Sequence, residues 1–86
     1  MQTMHVISMI AEQPLRVLQR MTTVFARHRV NVGQLNVFET KTQGVAHLNV
    51  VIYSNEILAT KLVKQLSKIV ELHEIHLRST KAAQAA

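Results

Sequence analysis

The chain has 86 residues, 48% hydrophobic and 17% charged, which excludes a disordered polypeptide and allows one domain. It contains no cysteine, so a disulfide framework, a thiolate zinc site and a cysteine nucleophile are all excluded. Its formal net charge of +5 is carried by cations scattered in ones and twos, which permits an acidic or nucleic-acid partner without requiring either.

The stretch "MHVISMIA" (4–11) is apolar and β-branched, as a central strand is. The start "MQTMHVISMI" lacks a basic leader, so it does not read as a signal peptide, and no apolar run approaches the ~20 residues of a membrane span. A cytoplasmic protein is the expectation. "EQPL" (12–15) breaks the strand, because Pro14 suits the first turn of a helix and not a paired strand. Val17, Leu18, Met21, Val24 and Phe25 then recur on one helical face, with Arg16, Gln19, Arg20, Thr23 and Arg27 on the other. Arg27, His28 and Arg29 fall in the last turn, where cations complement the negative end of the helix dipole, and Val30-Asn31 is expected to turn the chain.

"VGQLNVFET" (32–40) is a second strand, with Leu35 and Val37 alternating against Gln34 and Asn36. "KTQG" (41–44) is a hairpin connection ending in glycine. In the third strand, "VAHLNVVIY" (45–53), Ala46, Leu48, Val50 and Ile52 share one face and Val45, His47, Asn49, Val51 and Tyr53 the other. Ser54 is a candidate N-cap for a second helix whose buried stripe is Leu58, Leu62, Leu66 and Ile69, with Lys61, Lys64, Gln65 and Lys68 facing water. "VELHEIHLR" (70–78) is a fourth strand. This order with right-handed crossovers predicts an α+β ferredoxin-like βαββαβ two-layer sandwich, both helices lying on one face of a four-stranded antiparallel sheet. Residues 1–78 make up the domain, and 79–86 read as a disordered or frayed tail. The other sheet face carries Val45, Val51 and Tyr53 among polar residues, and half-apolar open faces of this kind meet a partner. A domain of this size buries only about 60% of its unfolded surface, so association would help it.

Chemistry is thinly supplied. Of the histidines, His73 and His76 are three apart, which in a regular strand sends them to opposite faces. His5 and His47 are candidate neighbours on adjacent strands, but a pair without carboxylates or thiolates is a poor metal site, and no metal is expected. The carboxylates are Glu12, Glu39, Glu56, Glu71 and Glu74, with no Asp, which leaves little for an acid–base pair. Ser8, Ser54, Ser67 and Ser79 lie in no nucleophile elbow, and Gly33 and Gly44 form no phosphate loop, so no catalytic residue is assigned. RNA-recognition motifs share this topology, but "QGVAHLNV" (43–50) offers Val45 and His47 where stacking rings belong. Neither nucleic acid nor membrane is therefore an expected partner. Met4, Met9 and Met21 fall at core positions as gap fillers.

At "LRVLQRMTTVFARHRVNVGQLNV" (15–37) the sequence resembles the ACT domain, most closely that of the small regulatory subunit of acetohydroxyacid synthase (acetolactate synthase). Val17-Leu18, Phe25-Ala26-Arg27, Asn31-Val32 and Leu35 match the family pattern, and "VKQLSKIVELHEIHL" (63–77) is similar to its second helix and last strand. The resemblance spans residues 4–78. It implies a non-catalytic subunit that binds and activates the large catalytic subunit in valine, leucine and isoleucine synthesis, with thiamine diphosphate, FAD and magnesium held by that partner. It also implies a homodimer formed through the sheet, edge to edge or face to face. An amino-acid effector would use Gln13, Leu15, Arg16 and Val17 at the helix start, with Asn31 and Val32 at the strand entry. Two positions depart from the family. Leu15-Arg16 stands at its Pro-Gly, with the proline displaced to Pro14, and Arg29 stands at its helix-ending glycine. Glycine lets a ligand approach backbone amides and Arg16 does not, so valine feedback is expected to be weak or absent, as in the short-subunit class. Other readings of the same residues are a free-standing ACT module that binds another amino acid or regulates another enzyme and, further off, an RNA-binding ferredoxin-like domain.

Overall fold

The computed structural model describes residues 3–80. Its elements follow the βαββαβ order: β1 (Thr3–Glu12), α1 (Pro14–Arg27), β2 (Asn31–Glu39), β3 (Val45–Ser54), α2 (Glu56–Leu66) and β4 (Leu72–Thr80). The strands form one antiparallel sheet in the order β2-β3-β1-β4. α1 packs on β1 and α2, and α2 packs on β1 and β4. The ferredoxin-like fold expected from the pattern is the fold found. Neither helix is long and apolar enough to cross a membrane.

The core is aliphatic and lies between the helices and the two central strands. β1 contributes Ile7, Met9 and Ala11, β3 contributes Ala46, Leu48, Val50 and Ile52, and the helices contribute Val17, Met21, Phe25, Ala59, Leu62 and Leu66, with Ile69 and Leu72 closing the end. The period-2 and period-3.6 patterns of the sequence meet here. Met9 and Met21 are buried as expected, whereas Met4 lies on the open face, opposite Tyr53 and half-buried, because it alternates with the inward His5.

His5 is fully buried. One ring nitrogen, Nε2, lies 3.0 Å from the Ser54 carbonyl and the other, Nδ1, 2.7 Å from Ser79 Oγ. A carbonyl only accepts, so Nε2 donates to it, while Nδ1 shares a hydrogen bond with the serine hydroxyl. This satisfied pair joins the start of β1 to the ends of β3 and β4. His5 and His47 are not neighbours: Ile52 stands opposite His5 and Ile10 opposite His47, and the two rings belong to opposite faces.

Four local details depart from the sequence reading, each for a stereochemical reason. Arg29 lies beyond the helix, with His28 as C-cap. The amide of Arg29 bonds to the Ala26 carbonyl and that of Val30 to Phe25, the paired bonds of a Schellman end. The chain therefore turns at His28-Arg29, and Asn31 already belongs to β2. Asn55, not Ser54, caps α2, its Oδ1 accepting the Leu58 amide at 2.8 Å, while Ser54 is the buried last residue of β3. The register of β4 slips at Glu74, whose φ is 50°. That extra residue places His73 opposite Ile10 and His76 opposite Ser8, so both histidines share the open face instead of dividing between faces. Finally, β4 runs through Ser79 and Thr80; the rest of the expected tail lies outside the described residues.

Arg29 adopts a φ of 53°, the left-handed conformation that costs a side-chain-bearing residue about 1–2 kcal/mol. Arg29→Gly is expected to raise stability by about 1 kcal/mol, read as an increased midpoint in urea unfolding with an unchanged slope.

Candidate functional site: the start of α1 and the edge at β2

The first turn of α1 is built without a side-chain cap and without an acidic residue. Gln13 occupies the N-cap position at φ 50°. Its amide donates to the Gly44 carbonyl at 3.0 Å, and its carbonyl accepts from the amides of Arg16 at 3.0 Å and Val17 at 3.2 Å. Pro14 has no amide to give. Of the donors that helix starts commonly offer to an anion, Leu15's is the one without a backbone partner among the described residues. The Leu15 side chain is 80% exposed, whereas that of Val17 is entirely core. Arg16 leans toward Glu71, with Nε 3.9 Å from Oε2, and Glu71 Oε1 is buried with no hydrogen-bond partner. Any carboxylate arriving at this helix start meets another carboxylate already beside the one cation there. Shallow grooves of about 330 Å³ and 310 Å³ flank the turn, the first along Gln13–Arg16 and the second between Pro14 and the β2–β3 hairpin.

Asn31 and Val32 lie elsewhere. They begin β2, opposite Tyr53 and Ile52, whereas Gln13 and Pro14 adjoin the hairpin at the other end of that strand. At ~3.3 Å per residue, the eight steps from Asn31 to Glu39 separate the two groups by roughly 25 Å. One copy of the chain brings Gln13, Leu15, Arg16 and Val17 together but leaves Asn31 and Val32 apart from them.

β2 is the feature that the alternation of Leu35 and Val37 did not reveal. All nine of its residues are exposed. Val32, Leu35 and Val37 point to the helix side of the sheet and are between 41% and 46% exposed, because β2 lies outermost, beyond the strands that the helices cover. Gly33 sits at a register slip in this strand, under the Tyr53 ring; a Cβ there would lie 2.6 Å from Tyr53 Cε2. β2 contains no lysine and no proline, and the slip at Gly33 and the terminal Glu39 are the edge protections it has. The opposite edge, β4, is interrupted by the Glu74 bulge and carries His73, Glu74 and Arg78, with His73 paired to Glu12. The absence of lysine and proline from residues 31–39 acquires this meaning only once the strand order is known.

On the open face, Phe38 and Tyr53 lie at opposite ends of the sheet, opposite His47 and Asn31 respectively. Among the described residues no group of three or more His, Asp or Glu side chains is placed to hold a metal ion.

The model of the AHAS small subunit-like ACT domain matches residues 7–74. The chain belongs to this family. The acetolactate synthase small subunit 1 of Nicotiana plumbaginifolia, a chloroplastic protein, is 34% identical over 71 residues, which cover 83% of this chain and 16% of the relative. A probable acetolactate synthase small subunit of Methanothermobacter thermautotrophicus is 28% identical over 71 residues, covering 83% and 42%. The chain thus spans less than half the length of either relative. Among solved structures, the acetolactate synthase small subunit of Thermotoga maritima superposes with a TM-score of 0.73 at 24% identity, over 86% of this chain and 46% of that one. The ACT domain of a Chlorobium tepidum GTP pyrophosphokinase superposes at 0.76 with 18% identity, over 91% and 100%. These two likenesses establish the ACT fold.

The left-handed Gln13 fixes how the ACT domain enters α1. Gln13→Gly is expected to raise stability by about 1 kcal/mol, and Gln13→Val, whose branched side chain resists that conformation, to lower it by at least as much. Chemical unfolding of the two variants beside the parent chain checks the sign of each.

Proposed function

We propose that this chain is a non-catalytic regulatory subunit that binds the catalytic subunit of acetohydroxyacid synthase in the cytoplasm and raises its activity, serving valine, leucine and isoleucine synthesis. The observation that carries the reading is the family match over residues 7–74. Thiamine diphosphate, FAD and magnesium belong to the catalytic partner in this proposal. A domain without chemistry of its own activates an enzyme by binding its competent state more tightly than its incompetent one.

Two copies pair through β2 in this reading. The bare edge and the exposed Val32, Leu35 and Val37 support it, since a second β2 would meet the unpaired backbone and cover the apolar residues together. An antiparallel pairing also carries Asn31 and Val32 of the second copy toward the hairpin end of the first, near Gln13–Arg16. An effector site would then be shared between copies. In this chain the engaged amides and the Glu71 carboxylate argue for weak or absent valine feedback.

Titrating the chain into the cofactor-loaded catalytic subunit from the same genome is expected to give saturable activation of acetolactate formation. Added valine is expected to leave that activation unchanged at concentrations below about 1 mM, the weak-binding range. No activation overturns the regulatory role, and potent valine inhibition overturns the reading of the helix start. Val37→Lys, which places a charge in the shelf along the edge, is expected to weaken the homodimer by about tenfold or more, measured by light scattering across a dilution series. A parent chain that is monomeric throughout would remove the dimer proposal.

A further inference from the structure

The helix layer is strongly basic. The two helices and the turn after α2 expose Arg16, Arg20, Arg27, Lys61, Lys64 and Lys68, against Glu56 and the largely buried Glu71. Arg16 faces Glu71, but Arg20 and Lys68 have no carboxylate partner among the described residues. These two cations flank a groove of about 650 Å³ between the second half of α1 and the turn into β4. The groove is shallow; its apolar lining is the half-buried Val24 and the nearly buried Ile69, with Gln19, Thr22 and Thr23 beside them on α1. The Thr23 hydroxyl is engaged by the Gln19 carbonyl at 3.0 Å. What the groove offers a visitor is an apolar seat between two positive charges.

We propose that this groove docks an acidic segment of the catalytic subunit, one apolar side chain seated on Val24 and Ile69 and flanking carboxylates paired with Arg20 and Lys68. The inference rests on the regulatory reading above and adds the surface through which it operates. Charge complementarity selects the occupant: an uncompensated basic rim steers and orients an acidic partner, while the seat supplies the desolvated contact that sets the dissociation rate. Nucleic acid fits less well. No ring lines the groove for a base to stack on, and a phosphate backbone has no use for the aliphatic floor. The groove shares no residue with β2 or with the start of α1, so each copy in a β2-paired dimer keeps its own docking surface.

The test measures binding of the full chain to the immobilised, cofactor-loaded catalytic subunit by interferometry, at about 50 mM and about 300 mM salt. The parent chain is expected to bind and to weaken as salt rises. The double variant Arg20→Glu/Lys68→Glu is expected to raise Kd by about tenfold or more. Lys41→Glu/Arg78→Glu makes the same change in net charge on the hairpin and the sheet and is expected to shift Kd by less than about threefold. Circular dichroism melts verify that both are folded, and if the first is not, the single variants Arg20→Gln and Lys68→Gln replace it, each expected to weaken binding about threefold. Binding by the parent that the groove variants leave intact, or that both double variants weaken equally, overturns the docking surface and leaves the regulatory reading standing. Failure of the parent chain to bind overturns both. Retention of a labelled oligoribonucleotide that the groove variant abolishes, with subunit binding unchanged, overturns the proposal in favour of a nucleic-acid surface.

Discussion

The two helices, of 14 and 11 residues, leave one strand of the four uncovered. They lie over β1 and β4 and the adjoining part of β3, and the outermost strand, β2, is left exposed on both faces. Much of what distinguishes this molecule follows from that shortfall. The core collects on β1 and β3, whose inward residues are fully or nearly fully buried. The apolar residues of β2 have the same alternation as those of β3 and none of the cover. An uncovered edge without lysine or proline is open to pairing with another strand.

The architecture was legible because local signals agreed with one another. Pro14 marked the entry of α1, Gly44 the hairpin, and the Val17–Met21–Phe25 spacing the buried helical face. The errors cluster where one residue changes the backbone. A left-handed Arg29 stands where a sequence reader expects more helix, because arginine carries no mark of positive φ. Asn55 and Ser54 are both capping residues, and only the geometry of the turn chooses between them. The bulge at Glu74 is invisible in a run of alternating residues, yet it decides on which face His73 and His76 appear.

The candidate effector site was legible in part. Gln13, Leu15, Arg16 and Val17 are contiguous at the start of α1, whereas Asn31 and Val32 lie at the far end of β2, a separation that the periodicity of the chain does not show. Nor does composition show that Gln13 already occupies the amides of Arg16 and Val17. The positive charge of the chain proved more informative in three dimensions than in the sequence. Cations scattered in ones and twos along the chain gather on the helix layer, while the sheet's open face is largely neutral.

The pairing of β1 with β4 has an architectural consequence. Met4 stands opposite Thr80, so the two ends of the described fold leave the domain side by side, beyond β3 from the bare strand. The buried His5 clasps that seam through Ser79. Polypeptide joined at either end therefore departs from the β1–β4 side of the sheet, and the β2 edge stays clear of it. The fold carries its two ends on one side and its bare edge on the other, a layout that lets further modules be appended without covering that edge.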